Sequence, residues 1–131
     1  MAAVELAYQS LERVDYGTGG QFYGTMDGSL EGPRLTGTLA LTNLATNRPD
    51  NVNTPTLRGL LRTHDGAELW VELDGIARLQ GETRVFVTSV RLRTGDERYA
   101  WANTFFGVLE GTLQSDGTAV GRIYECLPGP A

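Results

Sequence analysis

Four aromatic or polar residues with a period of two form the stretch best suited to chemistry. Tyr99, Trp101, Asn103 and Phe105 alternate with smaller residues. In a β-strand these four side chains would share one face. Aromatic walls and an amide that both donates and accepts hydrogen bonds suit a small-molecule pocket. Alternatively, the rings fill a core and Asn103 satisfies a neighbouring backbone group.

A second candidate site lies on a predicted β-hairpin spanning Leu57–Leu73, closed by the turn His64–Gly66. A three-residue loop with its glycine in the left-handed conformation gives the cleaner register, since all core-sized aliphatic residues but one then share a face. The opposite face pairs residues across the strands: Arg58 with Glu72, Arg62 with Glu68, and Leu60 with Trp70.

The chemistry available to this second face depends on whether it points into the protein or to solvent. If it points inward, Glu72 beside Arg58 is a partly desolvated carboxylate suited to general acid or base catalysis, and Trp70 shapes the substrate. In that case Arg58, Asn103 or Tyr99 would stabilise developing oxyanion charge. If the face points outward, it is a ladder of solvated ion pairs worth about 0–1 kcal/mol each.

Further candidates are isolated residues. Arg34, after Gly32-Pro33, is a candidate for binding an anionic substrate group, or pairs with a nearby acid, Glu31 or Asp27. Three tyrosines in predicted strands could donate a hydroxyl into a cavity or serve only as structural residues: Tyr8, Tyr23 and Tyr124.

Several reaction classes are excluded by residue counts. The single histidine, His64, lies in a turn, which argues against a histidine-rich metal site or a Ser-His-Asp triad. The chain has no P-loop and no dinucleotide fingerprint. We therefore predict neither a metal nor a cofactor. Cys126 lies in an apolar stretch and is expected to pack as an inert residue.

Composition limits the partners. The 131 residues suffice for one domain, residues 1–131, and all 11 basic residues are arginines set against 16 acidic residues. A net charge of −5 argues against nucleic acid or an anionic membrane as partner. Without a signal-peptide pattern or an apolar run of about 20 residues, a cytoplasmic location is expected.

Short apolar alternations separated by glycine-rich turns predict an all-β fold. Seventeen glycines are spread along the chain. About eight to ten strands, whose edges need pairing, favour a closed antiparallel β-barrel. Predicted turns include Asp27-Gly28, Asp74-Gly75 and Ser115–Gly117, the last of which sets Glu110 opposite Arg122. Tyr99–Leu113 is predicted as one strand bent at Gly107, and Asn43–Thr54 as a long loop that is functional or mobile.

Three stretches resemble, in order and spacing, a bacterial family known as domain of unknown function 3237. They are G-P-R-L-T-G at 32–37, R-T-H-D-G-A at 62–67, and T-G-D at 94–96 leading to Y-A-W-A-N at 99–103. The likeness runs from about Gly20 to Glu125. Two residues depart from the pattern: His64, where the family usually has an acid, and Ala102, where it usually has a larger aliphatic residue that would leave less room near Trp101.

The resemblance implies a single-domain closed barrel, similar in shape to the allene oxide cyclase and dirigent barrels. It implies an interior that holds a small organic molecule, without metal or nucleotide. Our first hypothesis is a cofactor-free isomerase, cyclase or lyase acting on a small apolar carbonyl, enol or epoxide compound. The alternatives are a non-catalytic ligand binder and a structural homo-oligomeric barrel with a filled interior. In the first two, substrate contacts would come from six residues: Trp70, Tyr99, Trp101, Phe105, Tyr124 and Arg34.

Overall fold

Ten β-strands and one 3₁₀ segment make up residues 1–128, which the computed structural model describes. In chain order they are β1 (Ala2–Asp15), β2 (Gly20–Glu31), β3 (Thr36–Asn43), β4 (Thr46–Asn47), β5 (Asn53–Thr54), β6 (Thr56–Thr63), β7 (Glu68–Gln80), β8 (Thr83–Arg93), the 3₁₀ segment (Glu97–Thr104), β9 (Phe106–Leu113) and β10 (Thr118–Glu125).

Eight of these strands close into an antiparallel up-and-down barrel. The order around the wall is β1-β2-β3-β6-β7-β8-β9-β10, and β10 pairs back onto β1. The two short strands β4 and β5 bridge β2 to β7 at one end. Closure leaves none of the eight wall strands with a free edge, as the number of strands and their need for paired edges predicted.

Both predicted three-residue turns are confirmed. Gly66 and Gly117 have φ values of +90° and +89°, a conformation that glycine adopts without the Cβ penalty. In the first hairpin, Arg58 stands opposite Glu72, Leu60 opposite Trp70 and Arg62 opposite Glu68. In the second, Glu110 stands opposite Arg122.

The leucine-rich face of the first hairpin points into the barrel. Leu61 and Leu69 have no exposed surface, and Val71 and Leu73 are nearly as buried. Leucines and valines from the other strands complete this core. Because strand side chains alternate, the Arg58, Trp70 and Glu72 side of the hairpin must face outward.

Two predicted turns are instead continuous strand. Asp27-Gly28 lies inside β2 and Asp74-Gly75 inside β7. A Cβ built on Gly28 would lie 1.8 Å from the carbonyl oxygen of Glu5, and one on Gly75 would lie 1.9 Å from that of Val87. Glycine is required at these two positions because neighbouring strands approach closely, not because the chain reverses.

The predicted strand Tyr99–Leu113 is also wrong in its first half. Residues Glu97–Thr104 form the 3₁₀ segment. Asp96 caps its N-terminus, because the Asp96 carboxylate accepts from the backbone N–H of Arg98 at 2.9 Å. An aspartate followed by an acidic residue is an N-cap signal, and it prevails here over the period-two pattern. No helix in residues 1–128 is long and apolar enough to cross a membrane.

The 3₁₀ segment is fixed to the turn between β6 and β7 through Asp65. The Tyr99 hydroxyl donates to this carboxylate at 2.9 Å, Thr63 donates to it as well, and the Arg98 guanidinium lies 3.3 Å away. These contacts, first that of Thr63, hold the pKa of Asp65 below its usual value.

This pKa shift predicts acid lability at the turn. A carboxylate with a lowered folded-state pKa stabilises the fold above its unfolded value, near 3.9, and loses that contribution as the pH falls through the folded pKa. We therefore expect Asp65→Asn to lower the melting temperature at pH 7 and to flatten its fall below about pH 4. Thermal melts from pH 7 to pH 2 measure both effects, with the exposed Glu12→Gln as the control. Parallel curves for wild type and Asp65→Asn would contradict the prediction.

The prediction that Cys126 packs inside the protein is wrong. Its side chain is exposed, although its backbone N–H still pairs with Phe106 at 2.8 Å. The residue follows the last strand directly, so it lies outside the barrel core.

Candidate functional site

A cavity lies toward each end of the barrel, and each is partly open to solvent. The larger has a volume of about 280 Å³ and the smaller about 100 Å³. Along β1, Leu6, Tyr8 and Leu11 line the large cavity, whereas Val4 lines the small one. Among residues 1–128, only Leu73 and Leu109 line both, so these two leucines separate the cavities.

The large cavity is mostly apolar. Its wall is built from aliphatic and aromatic side chains, among them Leu6, Phe22, Met26, Leu57, Phe86 and Leu109. Uncharged polar side chains interrupt this wall: Asn53, Gln114 and Ser115, and, on three of the eight wall strands, the Tyr8 hydroxyl, the Asn43 amide and the Thr88 hydroxyl. A largely apolar cavity with a few polar groups is the usual composition of a small-molecule site.

Strand alternation brings these three polar residues inward. Asn43 continues the buried series Leu39 and Leu41 on β3, and Thr88 precedes the buried Val90 on β8. Tyr8 follows Ala2, Val4 and Leu6 as the fourth inward residue of β1, and the register slips immediately after it, at Gln9. This β-bulge shifts the alternation by one residue, so that Leu11 also lines the cavity.

Two buried polar atoms of the cavity wall have no hydrogen-bond partner among the described residues. They are Oδ1 of Asn43 and Oγ1 of Thr88, whose residues are 6% and 3% exposed. Asn43 donates from Nδ2 to the Tyr8 hydroxyl at 2.7 Å. In the alternative amide orientation, with Oδ1 and Nδ2 exchanged, Oδ1 accepts from the Tyr8 hydroxyl and Nδ2 is the atom without a partner. A buried polar group left unpaired costs about 1–3 kcal/mol, which a ligand bearing a suitable partner would recover.

The Tyr8 hydroxyl is protonated at neutral pH. Burial raises its pKa, and the hydrogen bond from Asn43 offsets that rise only in part. Its oxygen accepts from Asn43, so its proton remains available to a third group. The site therefore presents a donor at Tyr8, an acceptor at Asn43, and both functions at Thr88.

Of the described residues that line this cavity, the charged ones lie at its rim. Glu82 and Arg84 come from the turn between β7 and β8 and the start of β8. Arg84 donates to the carbonyl and side-chain oxygens of Asn51 at 2.9 and 2.8 Å. These bonds join the rim to the segment between β3 and β6, which was predicted as a long loop.

The small cavity brings together three residues predicted from the sequence. Arg34, Trp101 and Phe105 all line it. The Arg34 guanidinium stacks on the Trp101 ring at 3.9 Å from the centroid, and Phe105 meets the same ring edge-on at 6.1 Å. Arg34 also lies 3.8 Å from Glu125 rather than beside the predicted partners Glu31 or Asp27.

The hairpin face that carries Glu72, Arg58 and Trp70 points outward, which is the second of the two orientations left open by the sequence. None of the three residues lines either cavity, so the catalytic and substrate-binding roles that required the inward orientation are not supported. Trp70 is 40% exposed on the outer wall, and its indole donates to Glu72 at 3.1 Å. Arg58 pairs with Asp74 at 3.0 Å, whereas Arg93 lies 3.4 Å from Glu72. This face of the hairpin points to solvent because the leucines on the opposite face are buried in the barrel core.

The shared face proposed for Tyr99, Trp101, Asn103 and Phe105 is also absent, because most of this stretch is helical. Tyr99 bonds Asp65, and exposed Asn103 holds the loop at Thr94 through two hydrogen bonds of 2.8 and 2.9 Å. Asn103 lines neither cavity, contrary to the predicted pocket lined by Trp101 and Asn103. Fully buried Ala102 likewise lines neither cavity.

Two of the three predicted strand tyrosines also lie outside the cavities. Tyr23 is exposed, and Tyr124 is on the outer wall, where its hydroxyl lies 3.4 Å from Glu110. Only Tyr8 lines a cavity.

Asn43 and Thr88 were missed in the sequence. The signal was a polar residue in phase with the apolar series of a strand: Leu39-x-Leu41-x-Asn43, and Thr88-x-Val90-x-Leu92. Such a residue is buried among apolar neighbours, and the tertiary structure determines whether its polar atoms find hydrogen-bond partners.

A family model for proteins of unknown function, DUF3237, matches residues 10–126. The chain belongs to the DUF3237 family. No curated protein matches it. The family match includes most of the residues that line both cavities but begins after Val4, Leu6 and Tyr8 of β1, and the DUF3237 description names no ligand or reaction.

Solved structures show the same barrel as this DUF3237 protein. A β-barrel-like protein from Acinetobacter baumannii aligns with a TM-score of 0.85 at 16% identity, over 95% of this chain and 92% of that one. A conserved protein of unknown function from Rhodopseudomonas palustris aligns at 0.85 and 19% identity, over 96% and 94%. A structure described as an enzyme from Penicillium herquei aligns at 0.66 and 20% identity, over 95% and 91%. At these identities the likeness establishes the fold alone.

Proposed function

We propose that this protein binds a small, largely apolar organic molecule bearing a carbonyl or hydroxyl group in the large cavity. The observation that carries the proposal is the pair of unpaired polar atoms, Asn43 Oδ1 and Thr88 Oγ1, in an otherwise apolar wall. A barrel that served only as a structural module would gain stability by replacing these atoms with apolar ones.

Complementary hydrogen bonds define the ligand class. A carbonyl oxygen of the ligand accepts from Tyr8, and a hydroxyl of the ligand donates to Asn43 or Thr88. The apolar body lies against side chains such as Phe22 and Phe86. An anionic head is disfavoured at this depth, because the described residues place no cation there and burying an unpaired charge is costly.

Replacing Thr88 with valine tests this proposal through two opposite effects. The variant keeps the shape but removes an unpaired hydroxyl, so we expect about 1 kcal/mol of added stability and a melting temperature higher by about 4 °C. Affinity for a ligand found by thermal-shift screening of hydroxyketones, phenols and terpenoid alcohols should fall about tenfold, as measured by calorimetry. Asn43→Leu should show the same loss of affinity.

The exposed Thr38 on β3 provides the matched control. Thr38→Val should leave affinity unchanged, as should Glu72→Gln on the outer wall. If no compound of these classes binds, or if Thr88→Val and Asn43→Leu bind as tightly as wild type, the large cavity is not the site proposed here.

Catalysis is a second candidate, favoured by the protonated Tyr8 hydroxyl inside the cavity. This hydroxyl could polarise a ligand carbonyl and stabilise the oxyanion that develops during isomerisation, cyclisation or lyase chemistry without a cofactor. The Penicillium herquei protein of the same fold is described as an enzyme. However, the described residues place no carboxylate among the buried groups of this cavity, so a base is not identified.

Incubating each bound compound with the protein separates the two candidates. New species detected by liquid chromatography and mass spectrometry, and lost in Tyr8→Phe, would establish turnover. Unchanged compound together with retained binding would leave a binding protein.

A further inference from the structure

We infer that the small cavity is a second, independent ligand site that takes a small monocarboxylate with an aromatic or branched aliphatic tail. Its inner wall is apolar and comes from the barrel core, including Leu30, Val71, Val90 and Ile123. Its outer wall is aromatic, formed by Trp101 and Phe105. Arg34 lies at the rim and supplies positive charge where the cavity meets solvent.

The Arg34 guanidinium is held in place but makes few polar contacts. The guanidinium carbon lies over the Trp101 ring, 3.9 Å from its centroid, and this cation–π contact holds the group at the rim without using its N–H donors in hydrogen bonds to oxygen. Within residues 1–128 it donates no hydrogen bond, and it is 54% exposed. A planar cation with an unused donor fork is suited to bidentate binding of a carboxylate.

Glu125 is the natural competitor of such a ligand. Its carboxylate lies 3.8 Å from Arg34, which is an ion pair but too long for a hydrogen bond. A ligand carboxylate can approach to about 2.8 Å and use two donors at once. The exposed Glu125 side chain can turn away into solvent when the ligand binds.

The charge and size of the site narrow the ligand further. Arg34 can balance a single negative charge, and does so for a ligand only when Glu125 has turned away, so a phosphate dianion would be poorly balanced. The cavity of about 100 Å³ accommodates a phenyl or isopropyl group and not a long chain. Because the protein carries a net charge of −5, anion binding must depend on Arg34 itself.

Phenylacetate and its neutral amide, phenylacetamide, test the inference by two-dimensional NMR. The protein has two indole N–H signals, from Trp101 at the cavity and Trp70 on the outer wall. Titration with phenylacetate should move the Trp101 signal and leave the Trp70 signal in place. A Trp70→Phe variant assigns the two signals. The amide should bind at least about fivefold more weakly.

Variants at the rim should change affinity in opposite directions. Arg34→Gln should weaken phenylacetate binding about tenfold, and Arg34→Lys should not restore it, since ammonium lacks the planar fork. Glu125→Gln should tighten binding about threefold, because it removes the competing charge. None of these variants should change ligand affinity in the large cavity, which Arg34 and Glu125 do not line.

Three results would overturn the inference. They are a Trp101 signal that phenylacetate does not move, equal affinity for the acid and the amide, and weaker binding in Glu125→Gln. Unchanged melting temperatures of the variants would exclude misfolding as the cause of lost binding.

Discussion

Filling the large cavity by Ala77→Phe is expected to weaken binding of its ligand by about 100-fold or more. Ala77 lies on β7, is 7% exposed and lines the cavity wall. A phenyl ring at this position would occupy space that the ligand needs, with little of the usual penalty for overpacking because the space is already present. Calorimetric titration with a compound found by thermal-shift screening measures the effect.

The neighbouring residue provides a matched control for this substitution. Ile76 lies on the same strand but points outward and is 48% exposed. Ile76→Phe should therefore leave affinity unchanged, and both variants should melt within a few degrees of wild type. Full affinity in Ala77→Phe would show that ligands bind elsewhere, whatever their chemistry.

Replacing Leu69 with alanine should reduce the free energy of unfolding by about 3 kcal/mol. Leu69 has no exposed surface and stands opposite the equally buried Leu61 in the centre of the core. Removing its isobutyl group forfeits burial energy and leaves a void that the closed wall cannot collapse to fill. Urea unfolding followed by tryptophan fluorescence should show the midpoint shift with an unchanged slope.

Leu44→Ala is the control for that prediction, because Leu44 is 42% exposed. Its cost should stay within about 0.5 kcal/mol. A loss at Leu69 no greater than at Leu44 would mean that the barrel repacks freely, contrary to the tight core described above.

Local chemistry made the hairpins predictable. In His64–Gly66 and Ser115–Gly117, an aspartate precedes a glycine between two alternating strands, and the apolar period then selects one register. The same Asp-Gly pair misled at Gly28 and Gly75, where glycine admits a neighbouring strand. Nothing local distinguishes a reversal from close strand contact.

The positions of the candidate site residues depended on contacts between parts of the chain that are far apart in sequence. Trp101 and Asn103 alternate in the sequence, yet Asp96 begins a helical segment that separates them, with Trp101 over the small cavity and Asn103 at the loop near Thr94. Glu72 points outward because the leucines on the other face of the hairpin are buried in the core. Sequence periodicity showed that the hairpin has two faces, but not which of them the rest of the barrel would cover.

The sequence by itself determined the all-β class, the barrel closure, the hairpin registers and the family resemblance, since these follow from side-chain period and turn residues close together in the chain. Only the tertiary structure decided that Asn43 and Thr88 meet Tyr8 around one cavity and that two of their atoms have no hydrogen-bond partner within residues 1–128. The physical reason is that hydrogen-bond satisfaction and empty volume belong to groups far apart in sequence, and become defined only when the wall closes.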